Sequence, residues 1–239
     1  MSHLILVRHG QSEWNLEKKF TGWVDVDLTS IGKLEACKAG EYIREQNLNI
    51  DYFYSSFQLR AINTLKLIKD TLRDKKEPIR AWQLNERHYG ALTGLSKDEM
   101  KKKLGENMIH QFRRSWDIKP DPLSKNNPYH PLNIDIYKEI PREKIPDTES
   151  LKDTYKRVME YYNSNIQKKL IEDKNVLIAA HGNSIRTLCK FLFKLDNDKI
   201  SLLEIPTGNP LFIKLNADQK IVECKYLDKD RAKDLLFSC

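Results

Sequence analysis

No run of apolar residues in this 239-residue chain approaches the roughly 18 needed to cross a bilayer. Met1-Ser2-His3 leads straight into an apolar strand candidate, with no leader-like stretch before it. The expectation is a cytoplasmic protein with no membrane partner. Cysteine is sparse: Cys37, Cys189, Cys224 and Cys239 form no Cys-x-x-Cys pair. No His/Cys cluster has zinc spacing, so no metal is expected. Basic residues are scattered, with neither a recognition motif nor an aromatic–basic interleave, so nucleic acid is not expected as a partner.

The composition is ordinary, 40% hydrophobic and 31% charged. The length suffices for one large α/β domain, or one domain with an insertion. A net charge of +7 fits Lys-rich solvated faces such as Lys101-Lys102-Lys103, and equally an anionic partner such as a small polyphosphorylated substrate.

One stretch organises the rest. Leu4-Ile-Leu-Val7 reads as a buried strand that ends abruptly in Arg8-His9-Gly10. Ligands of open α/β sheets sit beyond the carboxyl ends of strands, which puts His9 at the mouth of a site. Gly10 is expected to turn the backbone sharply and bare its N–H groups. Far downstream Val176-Leu-Ile-Ala-Ala180 ends in His181-Gly182-Asn183-Ser184. Parallel pairing of the two strands brings the two imidazoles together.

Between and after these motifs, Thr21-Gly22 offers a hydroxyl and a backbone N–H to an anion, or is a simple turn. Thr29 caps a helix running to about Gln46. A strand over 51–55 leads into a helix from Ser56 with Ile62, Leu65, Ile68 and Leu72 on its apolar face. Arg60 in the first turn of that helix opposes the helix dipole, which a bound phosphate there explains and simple exposure also permits. The densest polar cluster is Leu84-Asn-Glu86-Arg87-His88-Tyr89-Gly90, where Glu86 is a candidate general acid/base. Ser96 to Glu99 forms a capping box, with Lys97 in the first helical turn. Met108, Phe112 and Trp116 mark one face of the next helix, and Arg113-Arg114 fall off it, able to fork onto one phosphate. Residues 117–147 hold six of the nine prolines and read as an ordered, irregular insertion over the site. A second capping box, Ser150 to Asp153, opens a long helix to about Leu170. After strand 176–180 comes a helix burying Ile185, Leu188, Cys189, Leu192 and Phe193, then strands over 211–215 and 221–226.

Arg8-His9-Gly10 with a distant His181-Gly182 resembles the histidine phosphatase superfamily. The likeness narrows with Arg8-His-Gly-Gln-Ser-Glu-Trp-Asn15, Phe20-Thr-Gly-Trp23, Leu84-Asn-Glu-Arg-His-Tyr-Gly90, Arg113-Arg114, Thr148-Glu-Ser-Leu-Lys-Asp-Thr154, Ala180-His-Gly-Asn-Ser184 and Ile205-Pro-Thr-Gly208. In order and over nearly the whole chain, these are similar to the cofactor-dependent phosphoglycerate mutases. That resemblance implies a three-layer α/β/α sandwich with a mostly parallel central sheet, a single domain over 1–239. It also implies a helical and irregular insertion over 88–147 and a mobile C-terminal tail over 227–239 that covers the site.

The activity implied is interconversion of 3-phosphoglycerate and 2-phosphoglycerate through a phosphohistidine, primed by 2,3-bisphosphoglycerate, in a homodimer or homotetramer. By resemblance His9 is the phosphorylated nucleophile, Glu86 moves the hydroxyl proton, and His181 stabilises the transferring group. Arg8, Asn15, Arg60, Gly182 and Asn183 are implied around the phosphoryl group, and Gln11 and Ser12 are implied among the substrate-binding residues. Thr21, Gly22, Arg87, His88, Tyr89, Lys97, Arg113 and Arg114 are implied for the rest of the substrate. Two departures stand out: Leu59 where the family usually has Lys before the Arg, and a charged tail where it usually has small residues. The main alternative is a histidine phosphatase handing the phosphoryl group to water, and a third reading is an inert binding module on the same fold. The cluster of cations beyond His9 favours the mutase, because a simple phosphatase needs no second anion site.

Overall fold

The computed structural model describes residues 1–231. Of the expected tail over 227–239, residues 232–239 lie outside the described residues. In chain order the elements are β1 (Ser2–Arg8), α1 (Glu13–Leu16), α2 (Ser30–Glu45), β2 (Tyr52–Ser55), α3 (Leu59–Leu72) and β3 (Ile79–Arg80). Next come α4 (Lys97–Leu104), α5 (Glu106–Arg114), α6 (Leu151–Tyr161), α7 (Gln167–Ile171), β4 (Val176–Ala180), α8 (Gly182–Leu192), α9 (Asn197–Leu202), β5 (Leu211–Leu215) and β6 (Ile221–Tyr226).

The six strands form one sheet in the order β3-β2-β4-β1-β5-β6. β1 to β4 run parallel, β5 is reversed against β1, and β6 is reversed against β5. The apolar run of β1 splits by the two-residue period of a strand. Leu4 and Leu6 join a core with Val158, Ile166, Ile185 and Leu188, from the α6 to α8 side. Ile5 and Val7 join one with Ala39, Ile43, Leu65 and Ile68, from α2 and α3. A strand buried on both faces has no polar alternate positions, which is why β1 and β4 read as continuous apolar runs. The result is the expected three-layer sandwich.

Several boundaries differ from expectation for identifiable reasons. α3 begins at Leu59 rather than Ser56, because Gln58 takes the cap position and spends its side chain elsewhere. At α4 Ser96 accepts from Glu99 N, but only half of the expected capping box forms. In α5 the buried residue is Ile109, while Met108 is 41% exposed and Trp116 lies past the helix end, against Tyr155. The helix from Leu151 runs through a π-helical turn, Tyr162–Ile166, before α7. α9 was not expected.

The irregular stretch 117–147 is built of three short 3₁₀ turns. It contributes no lining residue to the candidate site, contrary to the expectation that it lies over it. Instead its Tyr137 packs against Trp23. Tyr137 is fully buried and its hydroxyl donates to Trp23 O (2.6 Å), bracing the loop that carries Thr21 and Gly22 from outside.

Candidate active site

Parallel pairing of β1 and β4 sets Arg8 opposite Ala180, so the residues that follow leave the sheet side by side. His9 N–H still donates to Ala180 O (3.0 Å), and the His9 and His181 ring centroids lie 5.0 Å apart. His9 is 3% exposed and His181 fully buried. Gly10 serves a different purpose from the one expected. Its N–H is not bare but donates to Thr64 Oγ1 (3.1 Å). A Cβ on it would sit 2.1 Å from Gly32 O, so the glycine permits the loop after β1 to lie against the start of α2.

His9 Nδ1 is 2.7 Å from Gly10 O. A carbonyl can only accept, so Nδ1 carries the proton and Nε2 is left with a free lone pair. Burial, then the charges of Arg60 and Arg8, hold His9 well below the usual imidazole value of 6.5, against the pull of the Gly10 carbonyl. Burial, then Arg60, His9, Arg157 and Arg8, hold His181 down likewise. Both rings are therefore neutral at neutral pH. His181 Nε2 meets Ser56 Oγ at 2.8 Å, at the end of β2, and its Nδ1 has no partner.

Around His9 lies a cavity lined by six cationic side chains, Arg8, Arg60, Lys97, Arg113, Arg114 and Arg186, and two carboxylates, Glu86 and Glu204. Asn15, Thr21, Gly22, Tyr89, Gly182 and Asn183 complete the lining. Arg60, 1% exposed, donates to Val24 O and Gly22 O (2.9 Å each), so it anchors the 22–24 loop while facing the cavity. Arg8 donates to Ile205 O (2.7 Å) and keeps a buried Nε without a partner. Glu86 is 9% exposed, and its Oε1 accepts from the N–H groups of Arg87 (2.7 Å) and Asn183 (3.3 Å). The second of these belongs to the first turn of α8, where a carboxylate is favoured by the helix dipole.

Glu86 is held from behind. Arg157 and Glu149 form a buried ion pair (2.6 Å), and Arg157 also donates to the carbonyls of Gln83, Asn85 and Glu86. Gln58 donates to Gly22 O (2.8 Å) and accepts from Glu86 N (2.9 Å), tying two lining loops together.

Five expected residues do not line the cavity: Gln11, Ser12, Arg87, His88 and His181. Ser12 caps α1 through Asn15 N, and Gln11 holds Glu35 and Thr29. Arg87 lies behind Tyr89, its guanidinium 4.7 Å from the ring centroid, and donates to Phe112 O. His88 donates its N–H to Glu149 Oε2 and accepts at Nδ1 from Gly90 N, and burial pushes it down to about 3. Two lining residues were missed, Arg186 and Glu204. Arg186 sits three residues past the His181-Gly182-Asn183 motif, and Glu204 immediately precedes Ile205-Pro-Thr-Gly208, so nearness to a motif was the available signal.

The arrangement offers a lone-pair nitrogen amid fixed positive charge, which is what phosphoryl transfer requires. Among the described residues no cluster of three or more His, Cys, Asp or Glu could hold a metal ion, and no helix is long and apolar enough to cross a membrane.

Comparison with known proteins bears on the same region. The family model of the histidine phosphatase superfamily (branch 1) matches residues 4–226. The chain is 79% identical to a 2,3-bisphosphoglycerate-dependent phosphoglycerate mutase of Pelagibacter ubique over 99% of each chain. It is 48% identical to one of a Caulobacter species over 98% of each. In structure it resembles a mycobacterial glucosyl-3-phosphoglycerate phosphatase, with TM-score 0.69 and 20% identity over 94% of this chain and 97% of that one. It also resembles an alpha-ribazole phosphatase of Shigella flexneri, with TM-score 0.68 and 17% identity over 95% and 96%. Identity this low carries the fold alone.

Proposed function

The chain belongs to the histidine phosphatase superfamily and, within it, to the 2,3-bisphosphoglycerate-dependent phosphoglycerate mutases, and from that premise we propose how its own residues carry the reaction. The activity is the interconversion of 3-phosphoglycerate and 2-phosphoglycerate. The observation that carries the assignment of roles is the meeting of His9 and His181 at 5.0 Å, with His9 in one cavity with Arg8, Arg60 and Glu86.

2,3-bisphosphoglycerate, when bound, supplies the phosphoryl group that primes the enzyme. The cavity suits such a ligand: its cations outnumber its carboxylates, and Arg8, one of its lining residues, has a buried Nε without a partner. Phosphorylated His9 Nε2 passes its phosphoryl group to the free hydroxyl of a monophosphoglycerate, the N–P bond breaking as the O–P bond forms, and then takes a phosphoryl group back from the other position, where an O–P bond breaks to leave the isomeric monophosphoglycerate. Arg8, Arg60 and the N–H groups at the start of α8 neutralise the equatorial oxygens. Glu86 gives a proton to the oxygen released and takes one from the oxygen that attacks. Lys97, Arg113 and Arg114 hold the substrate's remaining anionic groups. No step asks for a metal.

On the same reading the chain is one domain, 1–239, with 88–147 as an insertion whose helices, not its irregular part, wall the site. It works in the cytoplasm on small phosphoglycerates as a homodimer or homotetramer, without nucleic acid or membrane.

The deciding experiment is incubation with 3-phosphoglycerate, with and without 2,3-bisphosphoglycerate. 2-Phosphoglycerate should form fastest with the bisphosphate present, and EDTA should leave the rate unchanged. Release of inorganic phosphate in place of 2-phosphoglycerate would make water the acceptor and overturn the mutase assignment. Loss of activity in EDTA would overturn the metal-free chemistry.

A further inference from the structure

We propose that Glu204 is a charge filter on the substrate side of the cavity, a carboxylate that weakens the hold on bisphosphorylated ligands more than on monophosphorylated ones. The proposal rests on the mutase reading and goes beyond it.

A site built to bind anions has no evident use for a second carboxylate. Glu86 is tied to two backbone N–H groups and has a role in moving protons. Glu204 has neither. It lies between α9 and the Ile205-Pro-Thr-Gly208 turn, lines the cavity, and is ion-paired to Arg114. Its side chain is 64% exposed, whereas that of Arg114 is 13% exposed. The carboxylate is therefore the solvent-facing partner and the guanidinium the more buried one. Arg186 cannot take over from Arg114, because it is committed to Leu203 O and Asn183 Oδ1. Arg114, Arg186 and Arg8 together hold the Glu204 carboxyl below its usual range despite its partial burial, so it stays ionised near neutral pH.

An exposed ion pair is weak. An incoming phosphate or carboxylate can take Arg114 from Glu204, but the displaced carboxylate remains at the cavity rim as a fixed negative charge. Each phosphate brings roughly −1.5 to −2 charges at neutral pH. Repulsion grows with the ligand's charge, so a molecule with two phosphates and a carboxylate is disfavoured more than one with a single phosphate and a carboxylate. Six cations unopposed would grip the bisphosphate hardest. Glu204 offsets that grip most at the Arg114 end, where it is ion-paired.

The test compares the wild-type chain with Glu204→Gln, Glu204→Ala and Glu204→Asp. Two constants are read, the KM for 3-phosphoglycerate and the 2,3-bisphosphoglycerate concentration giving half-maximal activity. In Gln and Ala the half-activating concentration should fall about fivefold and the KM about twofold, as expected for removal of one screened charge. The kcat should change by less than about twofold, and the split should shrink at about 0.5 M salt. Asp keeps the charge and should stay near wild type. Equal changes in both constants, no change in either, or an Asp variant that behaves like Gln would overturn the filter. If wild type made no 2-phosphoglycerate, the parent reading would fall, and calorimetry would judge the filter alone. Tighter binding of 2,3-bisphosphoglycerate than of 3-phosphoglycerate on going to Gln would support it, and equal tightening would overturn it.

Discussion

The two ends of the cavity are built differently. At the phosphoryl end, His9, His181 and Arg60 sit on the tips of β1 and β4 and the first turn of α3, all between 0% and 3% exposed. Those elements run through the two large cores on either face of the sheet. At the substrate end, Lys97, Arg113 and Arg114 are half-buried on α4 and α5, helices that rest on a small cluster of Phe20, Leu92, Met100 and Ile109. Local stability follows the apolar contact beneath an element. The chemistry is thus mounted on the more deeply packed of the two ends and recognition on the one with the smaller apolar footing. In-line transfer tolerates little misplacement, whereas charge recognition tolerates more.

The largest effect should come from breaking the deeply packed end. His9→Ala removes the side chain that, among the described residues, has a lone pair both freed by its neighbour's carbonyl and set in the cavity. We expect kcat to fall by at least about 10⁴-fold, as for loss of a covalent nucleophile. Acid-labile label transferred from bisphosphoglycerate to protein should vanish with it. Label persisting on the variant would move the nucleophile elsewhere and erase the distinction between the two ends.

A smaller effect sharpens it. Arg157→Ala would strand Glu149, which is 3% exposed, and remove three bonds to the loop carrying Glu86. Breaking a buried pair this way costs about 3–5 kcal/mol. Arg114→Ala breaks the rim pair with Glu204 and should cost no more than about 1 kcal/mol. Urea unfolding of both variants measures the contrast. Equal losses would show the two ends to be equally well anchored.

The sequence disclosed the deeply packed end more fully than the other, and the reason is physical. A strand buried on both faces must be apolar throughout and must stop where the chain reaches the site, so Arg8-His9 and Ala180-His181 announce themselves. The sheet pairing, the Thr29 cap, the Ser150 capping box and the limits of β5 and β6 were legible by the same local rules. What depends on tertiary contact was not. Gly10 looked like a turn residue, but its contact with Gly32 needs α2 in place. Met108 and Ile109 are equally apolar, and only the docking of α5 decides which is buried. Ser12 and His88 sit in motif-rich segments yet serve as cap and scaffold, while Glu204 reaches the cavity from a segment whose own pattern gives no sign of it.

The smallest effect separates the two ends by pH. Burial is the main cause that lowers Lys97, to about 8, with Arg113 and Arg8 acting the same way and Tyr89 and Glu86 against them. A group lowered this far is charged below pH 8 and loses its charge as pH rises past it. The KM for 3-phosphoglycerate should therefore rise on the alkaline side, by about tenfold if one charge-assisted contact is lost. Lys97→Arg keeps its charge far above that pH, so its KM should stay flat to about pH 10. His9 is shifted down as well, but for an imidazole that preserves the neutral, nucleophilic form into acid. The acid limb of kcat/KM should accordingly lie well below 6.5 in both proteins. A Lys97→Arg variant with the wild-type alkaline rise would take Lys97 out of substrate binding, and an acid limb at 6.5 would contradict the burial of His9.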